Sequence, residues 1–402
     1  MDKSILRLRL TMTKARLKAW TWVLSGSAFA AVLSAAGCAG SNKEASIALY
    51  QAPPAAVIEA PASGLSHPTE VSAGFESVAV STPPKVNIFG EFGGVQQAAP
   101  HGGAAGFQQH TFVEDGFDGD VSVDPKGQLL VFSSTRHSEH ADIYLQKVDG
   151  MTVTQLTSDD ADDAFPVFSP DAQKIAFCST RAGNWDIYLM DADGKNITQV
   201  TNSPMQEIHP SFSPDGKRLV YSTQSSRSGQ WELWTVNLDN NERKMIGYGL
   251  FPTWSPRKDK DQIAYQKARA RGSRWFSLWT LDLVDSEAKA VTEVAVSSNA
   301  AIVSPTWSPD GLKLSFSTIV EPARSENGKP VGQQDVWTIN ADGTNRRRIT
   351  DGNGTSATPY WAADNRIYFV SNRSGTDSIW SAQAEMGHGT ATAKTDTKEL
   401  GN

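Results

Sequence analysis

The sequence predicts an all-β fold, a six-bladed β-propeller of four-stranded antiparallel blades, and three recurrences predict it. A turn marked by proline returns at Pro125, Pro170, Pro214, Pro256 and Pro309, with Ala363 in the sixth place; by subtraction the intervals are 45, 44, 42, 53 and 54 residues. A period of this length marks blades or solenoid units. After each turn, an aliphatic and an aromatic residue flank one small or aliphatic residue: Leu130/Phe132, Ile175/Phe177, Leu219/Tyr221, Ile263/Tyr265, Leu314/Phe316 and Ile367/Phe369. That is a period of two, the mark of a strand with one face committed to a core. Each copy then carries an adjacent aliphatic-aromatic pair: Ile143-Tyr144, Ile187-Tyr188, Leu233-Trp234, Leu278-Trp279, Val336-Trp337 and Ile379-Trp380. Neighbouring strand residues face opposite ways, so both faces are covered, as a blade between two blades requires.

The turns have their own chemistry. In Ser213-Pro214-Asp215-Gly216 and Ser308-Pro309-Asp310-Gly311, Pro presets the first turn position, Asp accepts backbone hydrogen bonds and Gly supplies a positive φ. Asp124-Pro125-Lys126-Gly127 keeps Pro and Gly, whereas Asn365 and Ala172 stand in the Gly position of their copies. Asn tolerates the left-handed conformation; Ala bears its cost. Ser255-Pro256-Arg257-Lys258 dissolves into a charged loop. A second turn, at Asp149-Gly150, Asp193-Gly194, Asp239-Asn240 and Asp342-Gly343, leads into a last strand ending Leu156-Thr157, Val200-Thr201 or Ile349-Thr350.

These motifs resemble the repeats of TolB-like propellers, a PD-type, WD-like repeat family: x-Pro-x-Trp/Phe-Ser-Pro-Asp-Gly, then Ile-Ala-Phe-x-Ser-x-Arg, Ile-Tyr, Asp-Gly and Leu-Thr. The resemblance covers residues 107 to 383 and implies the propeller fold. It implies little about chemistry, because similar repeats occur in periplasmic TolB, in the propellers of prolyl-oligopeptidase-like peptidases and in some polysaccharide lyases. The chain resembles the family as a lipoprotein rather than as TolB itself, which carries a folded α/β domain before its propeller.

The segment before the repeats has two parts. Residues 1–37 place Lys3, Arg7, Arg9, Lys14, Arg16 and Lys18 ahead of a run of small and apolar residues, the layout of a secretion signal; Met12 offers a second start. The run ends Ala35-Ala36-Gly37-Cys38, which resembles a bacterial lipobox with Cys38 as the lipidated residue. Ala39 after it resembles the outer-membrane sorting pattern, so the expected location is the periplasmic side of the outer membrane, held by lipid. Residues 38–106 are rich in Ala, Pro, Gly and Ser, as in Ala52-Pro53-Pro54-Ala55, and are expected to be a disordered tether. As a coil it would average about 45 Å end to end, with an extended limit near ~220 Å. Residues 384–402 form a tail. With Cys38 lipidated, the second of the two cysteines, Cys178, has no disulfide partner and is expected to be a core thiol.

Ring closure is legible too. The sixth copy fades after Ile379-Trp380, while Gln109-His110-Thr111 stands 14 residues before Pro125, as Gln199-Val200-Thr201 stands 13 before Pro214. The N-terminal strand is therefore expected to complete the last blade and remove a free sheet edge, with Ala393 to Leu400 as the alternative.

Function is expected on the loops. A net charge of -7, from 37 basic and 44 acidic residues, excludes a nucleic-acid footprint. The loops leaving each last strand and those joining second to third strands share one face. There Glu114, Asp115, Asp118 and Asp120 precede blade 1, and Asp159, Asp160, Asp162 and Asp163 precede blade 2. Blade 4 brings Lys267, Arg269, Arg271 and Arg274 across the ring, and blade 5 inserts a loop from Val320 to Gln334. The bland alternative is a solvated rim. Apolar anchors are expected at the mouth in Phe165, Tyr248, Leu250 and Phe251; Arg136, Arg181 and Arg373 recur at one repeat position and are assigned to structure. No Gly-x-Ser-x-Gly, His-Glu-x-x-His, phosphate loop or Cys-x-x-Cys occurs. The one metal-like constellation is His137, Glu139 and His140, which would suit a divalent ion; the bland reading is exposed polar loop residues. His209 is expected to line the mouth. The reading is a non-enzymatic platform for envelope proteins, such as a peptidoglycan-associated lipoprotein-like partner, or for cell-wall material. The alternative is a metal-assisted enzyme acting on an acidic polysaccharide.

Overall fold

The computed structural model describes residues 106–268, 276–297, 300–324 and 330–385. The signal with Cys38, the tether up to residue 105 and the tail beyond residue 385 lie outside the described residues.

Among the described residues, twenty-four strands form six four-stranded antiparallel sheets. Their inner strands are Asp118–Val123, Asp163–Phe168, Glu207–Phe212, Leu250–Trp254, Ala300–Trp307 and Ser356–Trp361, here the inner strands of blades 1 to 6. Each lies against the inner strand of the next blade and the sixth lies against the first, so the sheets close into a ring. The period-two pairs sit on the second strand of each blade and are buried, from Leu130 and Phe132 to Ile367 and Phe369. The core is distributed over the seams between blades: Phe168, Ile175 and Phe177 of blade 2 pack with Val131 and Ile143 of blade 1. Cys178 is a buried free thiol in such a seam.

The repeated polar residues hold the strand ends. Ser169, Ser213 and Ser308 accept the amide N–H of Lys174, Arg218 and Lys313 at 2.9 Å each, and donate to Asp171, Asp215 and Asp310 in the same turn. The closing Thr of each repeat bonds back to the third strand: Thr157, Thr201 and Thr350 accept the N–H of Ile143, Ile187 and Val336 at 2.9, 2.8 and 3.0 Å. Ala172 and Asn365 adopt φ of 58° and 59°, beside 70°, 72° and 65° at Gly127, Gly216 and Gly311.

Closure follows the first of the two routes open from the sequence. Phe107–Gln109 is the outer strand of blade 6, pairing Phe107 with Ala382 and Gln109 with Trp380. Thr111 then accepts the N–H of Ile379 at 2.9 Å, the bond that Thr157, Thr201 and Thr350 make within one stretch of chain. His110 adds a tie between blades, contacting Ser381 Oγ at 2.7 Å and the Val148 carbonyl at 3.0 Å. Ala393 to Leu400 lies outside the described residues, and its proposed place is taken. The expected loop from Val320 to Gln334 is corrected: the strands Lys313–Arg324 and Pro330–Asn340 continue into it, with one slip of register between Val320 and Ala323, to the pair Arg324 and Pro330.

Candidate functional site

The ring axis is shaped by one irregularity repeated six times. Each inner strand slips register against its neighbour, between Gly119 and Ser122 in blade 1 and at the matching points of the others. At each slip a non-glycine residue takes a positive φ: Asp120, Phe165, His209, Phe251, Ser304 and Thr358, between 46° and 56°. A β-bulge leaves one residue outside the ladder and bends its strand. Five of the six are followed by Pro (Pro166, Pro210, Pro252, Pro305 and Pro359), which has no N–H to leave unpaired there. Each left-handed residue costs on the order of 1–3 kcal/mol, and such strain gathers where function is built. Because all six blades share the backbone irregularity, it belongs to the architecture; the six different side chains are what this chain has made of it.

All six side chains line an axial cavity of about 480 Å³. Its wall continues to Pro125, Pro170, Pro214, Pro256, Pro309 and Ala363, so it reaches the Ser-Pro-Asp turns, on the face opposite the charged loops. Three neighbours form an aromatic cluster of tilted rings: the His209 ring lies 4.0 Å from the Phe165 ring and 3.7 Å from the Phe251 ring, centre to centre, at 48° and 37°. Burial in this cluster pushes the imidazole down to about 3, so it is neutral at physiological pH, and neither ring nitrogen finds a partner within the protein. Ser304 Oγ and Thr358 Oγ1 are likewise without a protein partner. Gln266 accepts the Ser304 N–H at 2.9 Å and leaves its own Nε2 unpartnered. Asp120 is pushed up to about 6 by burial, against the hydrogen bonds of the Ser133 hydroxyl at 2.8 Å and the Phe165 backbone. The cavity thus offers aromatic faces and unspent hydrogen-bonding groups around one carboxyl, the usual make-up of a site that orients a bound group.

The residues singled out from the sequence fall in different places. Phe251 and Asp120 are in the axial cavity. Asp118 is fully buried and held by Arg136, whose Nη2 donates to both carboxylate oxygens at 2.8 and 2.9 Å. Asp162 accepts the Ala141 N–H at 3.1 Å and lies 3.4 Å from His140 Nδ1. Asp160 is exposed on the same face, Tyr248 is 48% exposed, and Lys267 sits 5.1 Å over the Trp279 ring. Leu250 is buried rather than presented at a mouth. Arg269, Arg271 and Arg274 lie outside the described residues. His137 Nδ1 meets the Tyr144 hydroxyl at 3.2 Å while His140 turns to Asp162, so the two imidazoles serve different neighbours. Among the described residues, no three His, Cys, Asp or Glu side chains gather where they could hold a metal ion, and His137, Glu139 and His140 do not make the ligand set their spacing suggested. Ser304, Thr358 and Gln266 were not foreseen, although the x-Pro dipeptide near the head of five repeats marks the ring position.

Residues 249–400 match the family described as the TolB beta propeller domain, and residues 123–277 match the Tricorn protease N-terminal beta propeller domain. The later repeats of the ring are thus of the TolB propeller type. Solved structures similar to this propeller include a putative TolB from Agrobacterium tumefaciens, at 18% identity over 66% of this chain and 90% of that one, with a TM-score of 0.49. TolB from Acinetobacter baumannii is similar at 18% identity over 66% of this chain and 63% of that one, TM-score 0.44. An oligogalacturonate lyase from Vibrio parahaemolyticus is similar at 13% identity over 69% and 96%, TM-score 0.46.

Proposed function

We propose that this propeller is a non-enzymatic binding platform of the bacterial envelope, anchored through lipid on Cys38 at the periplasmic side of the outer membrane and docking envelope proteins or cell-wall material. The observation that carries the reading is the axial cluster of Phe165, His209 and Phe251. A general base works best with a pKa near the working pH. His209, pushed down to about 3, is poorly placed for that and well placed to hydrogen-bond and pack against a bound segment. Ser304, Thr358 and Gln266 supply further donors and acceptors without a nucleophile-base pair among them. On the opposite face, Asp160 and Lys267 would steer an approaching partner and Tyr248 would anchor it, since charges act chiefly on association and buried aromatics on dissociation.

Crosslinking in whole envelopes followed by capture of the chain identifies the partner, and variants then locate it. His209→Ala should speed dissociation if the axial cavity holds the partner, Tyr248→Ala if the loop face does, and Lys267→Glu should slow association at low salt. The platform reading fails if folded His209→Ala and Tyr248→Ala proteins both bind as wild type does, or if the chain turns over an acidic polysaccharide.

A further inference from the structure

Three blades hold an arginine of their own against aromatic rings. In blade 1, Arg136 donates to both oxygens of Asp118, with its guanidinium carbon 5.3 Å from the centres of the Phe132 and Tyr144 rings. Blade 2 repeats this: Arg181 reaches Asp163 at 3.2 and 3.0 Å, lies 5.4 Å from the Phe177 ring and 4.9 Å from the Tyr188 ring, and also pairs with Asp159 at 3.1 Å. Arg373 of blade 6 packs on Phe107, Phe369 and Trp380.

Blade 3 keeps the receptacle and lacks the arginine. Glu207 opens its inner strand where Asp118 and Asp163 open theirs, each one residue before the bulge pairing of Ile208, Gly119 or Ala164. Tyr221 pairs with Trp234 as Phe132 pairs with Tyr144 and Phe177 with Tyr188. Counting on from the aromatic, Ser225 occupies the place of Arg136 and Arg181, and in the loop before the strand Ser203 occupies the place of Asp159. On blade 3, at the loop that leads into it, lies a cavity of about 430 Å³ lined by Ser203, Glu207, Tyr221, Ser225 and Trp234 among others. Glu207 is 3% exposed, and among the described residues its Oε2 makes no hydrogen bond. Burial, with Asp186 close by, pushes its carboxyl up to about 7, against the Thr201 hydroxyl and Arg243.

The other charged groups at the cavity do not fill the place. Arg243 brings Nη1 to 3.9 Å from Glu207 Oε1 while its Nη2 donates to the Val200 carbonyl at 3.1 Å. Arg227 is exposed and reaches only the lining. Glu232 accepts the Trp234 indole N–H at 2.9 Å. A guanidinium matches what remains, because it is planar, stacks on ring faces and offers parallel N–H donors to one carboxylate; an ammonium has the charge without the fork.

We infer that this cavity on blade 3 is a guanidinium-binding site, where an arginine supplied from outside the domain takes the place that Arg136 and Arg181 hold in the preceding blades. The site stands independently of the platform reading. The guanidinium comes either from an arginine side chain of a polypeptide or from a free guanidinium metabolite. Calorimetric titration of the full chain decides, with acetyl-arginine amide, free arginine, agmatine, acetyl-lysine amide and acetyl-citrulline amide as probes. The guanidinium probes should bind saturably, the lysine probe roughly tenfold more weakly, and neutral citrulline not measurably. Tighter binding of capped than of free arginine assigns a polypeptide source, and the reverse order a free metabolite. Ser225→Arg restores the internal arginine, so it should abolish probe binding and raise the melting temperature. Glu207→Gln should weaken every guanidinium probe and serves where Ser225→Arg does not fold. Absence of saturable guanidinium binding, binding undiminished in folded Ser225→Arg protein, or equal binding by Glu207→Gln overturns the inference.

Discussion

Ala172→Gly and Gly216→Ala are reciprocal exchanges at the same turn position of adjacent blades, and the structure sets their expected effects. The two residues have φ of 58° and 72° and make the same bond, Ala172 N–H to the Ser169 carbonyl at 2.9 Å and Gly216 N–H to the Ser213 carbonyl at 2.8 Å. A left-handed non-glycine residue costs about 1–2 kcal/mol. Glycine gives back about 0.4–1 kcal/mol through the greater freedom of the unfolded chain. The net is therefore about 0.5–1 kcal/mol in favour of Gly: Ala172→Gly should gain that much and Gly216→Ala should lose it. Sterics do not confuse the comparison, since a Cβ at Gly216 would meet only Pro170 Cδ, at 3.7 Å. At Gly311 a Cβ would press into the Arg257 side chain and lie 2.9 Å from Ser255 Oγ, so Gly311→Ala should lose more, by roughly 1–3 kcal/mol of overpacking. Urea unfolding followed by tryptophan fluorescence, with melting temperatures as a second measure, reads all three; for a domain of this size, 1 kcal/mol is about 2–4 °C. The reasoning is refuted if Ala172→Gly loses stability or if Gly216→Ala gains it.

Asp120→Asn should stabilise at high pH only. The folded carboxyl titrates near 6 against 3.8 in the unfolded chain, so the native state keeps a proton that the unfolded state has shed, and native stability falls as pH rises through that window. Asn removes a cost on the order of 3 kcal/mol at pH 8, and the gain should shrink toward pH 4; a gain of the same size at both pH values would assign it to backbone strain instead. Thr111→Val should leave the buried Ile379 N–H unpartnered at a cost of about 1–3 kcal/mol, as Thr201→Val should at Ile187. Only the Thr111 variant should speed hydrogen exchange in the Phe107–Gln109 strand and its partner, and equal protection there in both variants would mean that closure does not depend on this bond.

The blades, turns and closing strand were legible because each rests on local chemistry that recurs along the chain, six times for the strand pairs and three or four times for the turns and the closing Thr. The Ser-Pro-Asp turn, the aliphatic-aromatic pair and the closing Thr bond within one repeat, and Gln109-His110-Thr111 reproduced a known segment closely enough to place the last strand. The axial site was legible only in part. Which inner-strand residue leaves the ladder depends on a register slip, and side-chain alternation does not show where that slip falls; the x-Pro dipeptide marked it in five blades. The charged loops were legible as charge and not as availability. Asp118 and Asp160 look alike in sequence, yet one is locked to Arg136 in the interior and the other is exposed, a difference set by an arginine eighteen residues downstream of Asp118.

Departures from the repeat differ in whether the neighbours have answered them, and that separates a drifted position from a site. Ala172 keeps the φ and the bonds of its glycine counterparts, so the exchange is borne as strain within one turn. In blade 4 the acid position itself is lost, and Gly249 stands where Asp118, Asp163 and Glu207 stand. The room has been taken up there, because a Cβ on Gly249 would collide with the Tyr265 ring and the Gln266 carbonyl. In blade 3 the acid and both rings remain and the repeat-position arginine is gone, and Arg243 answers it only in part, with Nη1 3.9 Å from Glu207 Oε1: Glu207 stays buried beside an open cavity. A buried carboxyl without its partner is among the costlier defects a core can hold. Blade 5, with Ile302 and Val320 at the acid and arginine places, shows that this fold can lose the pair together, so the retained Glu207 in blade 3 argues that a full cationic partner is delivered by something else.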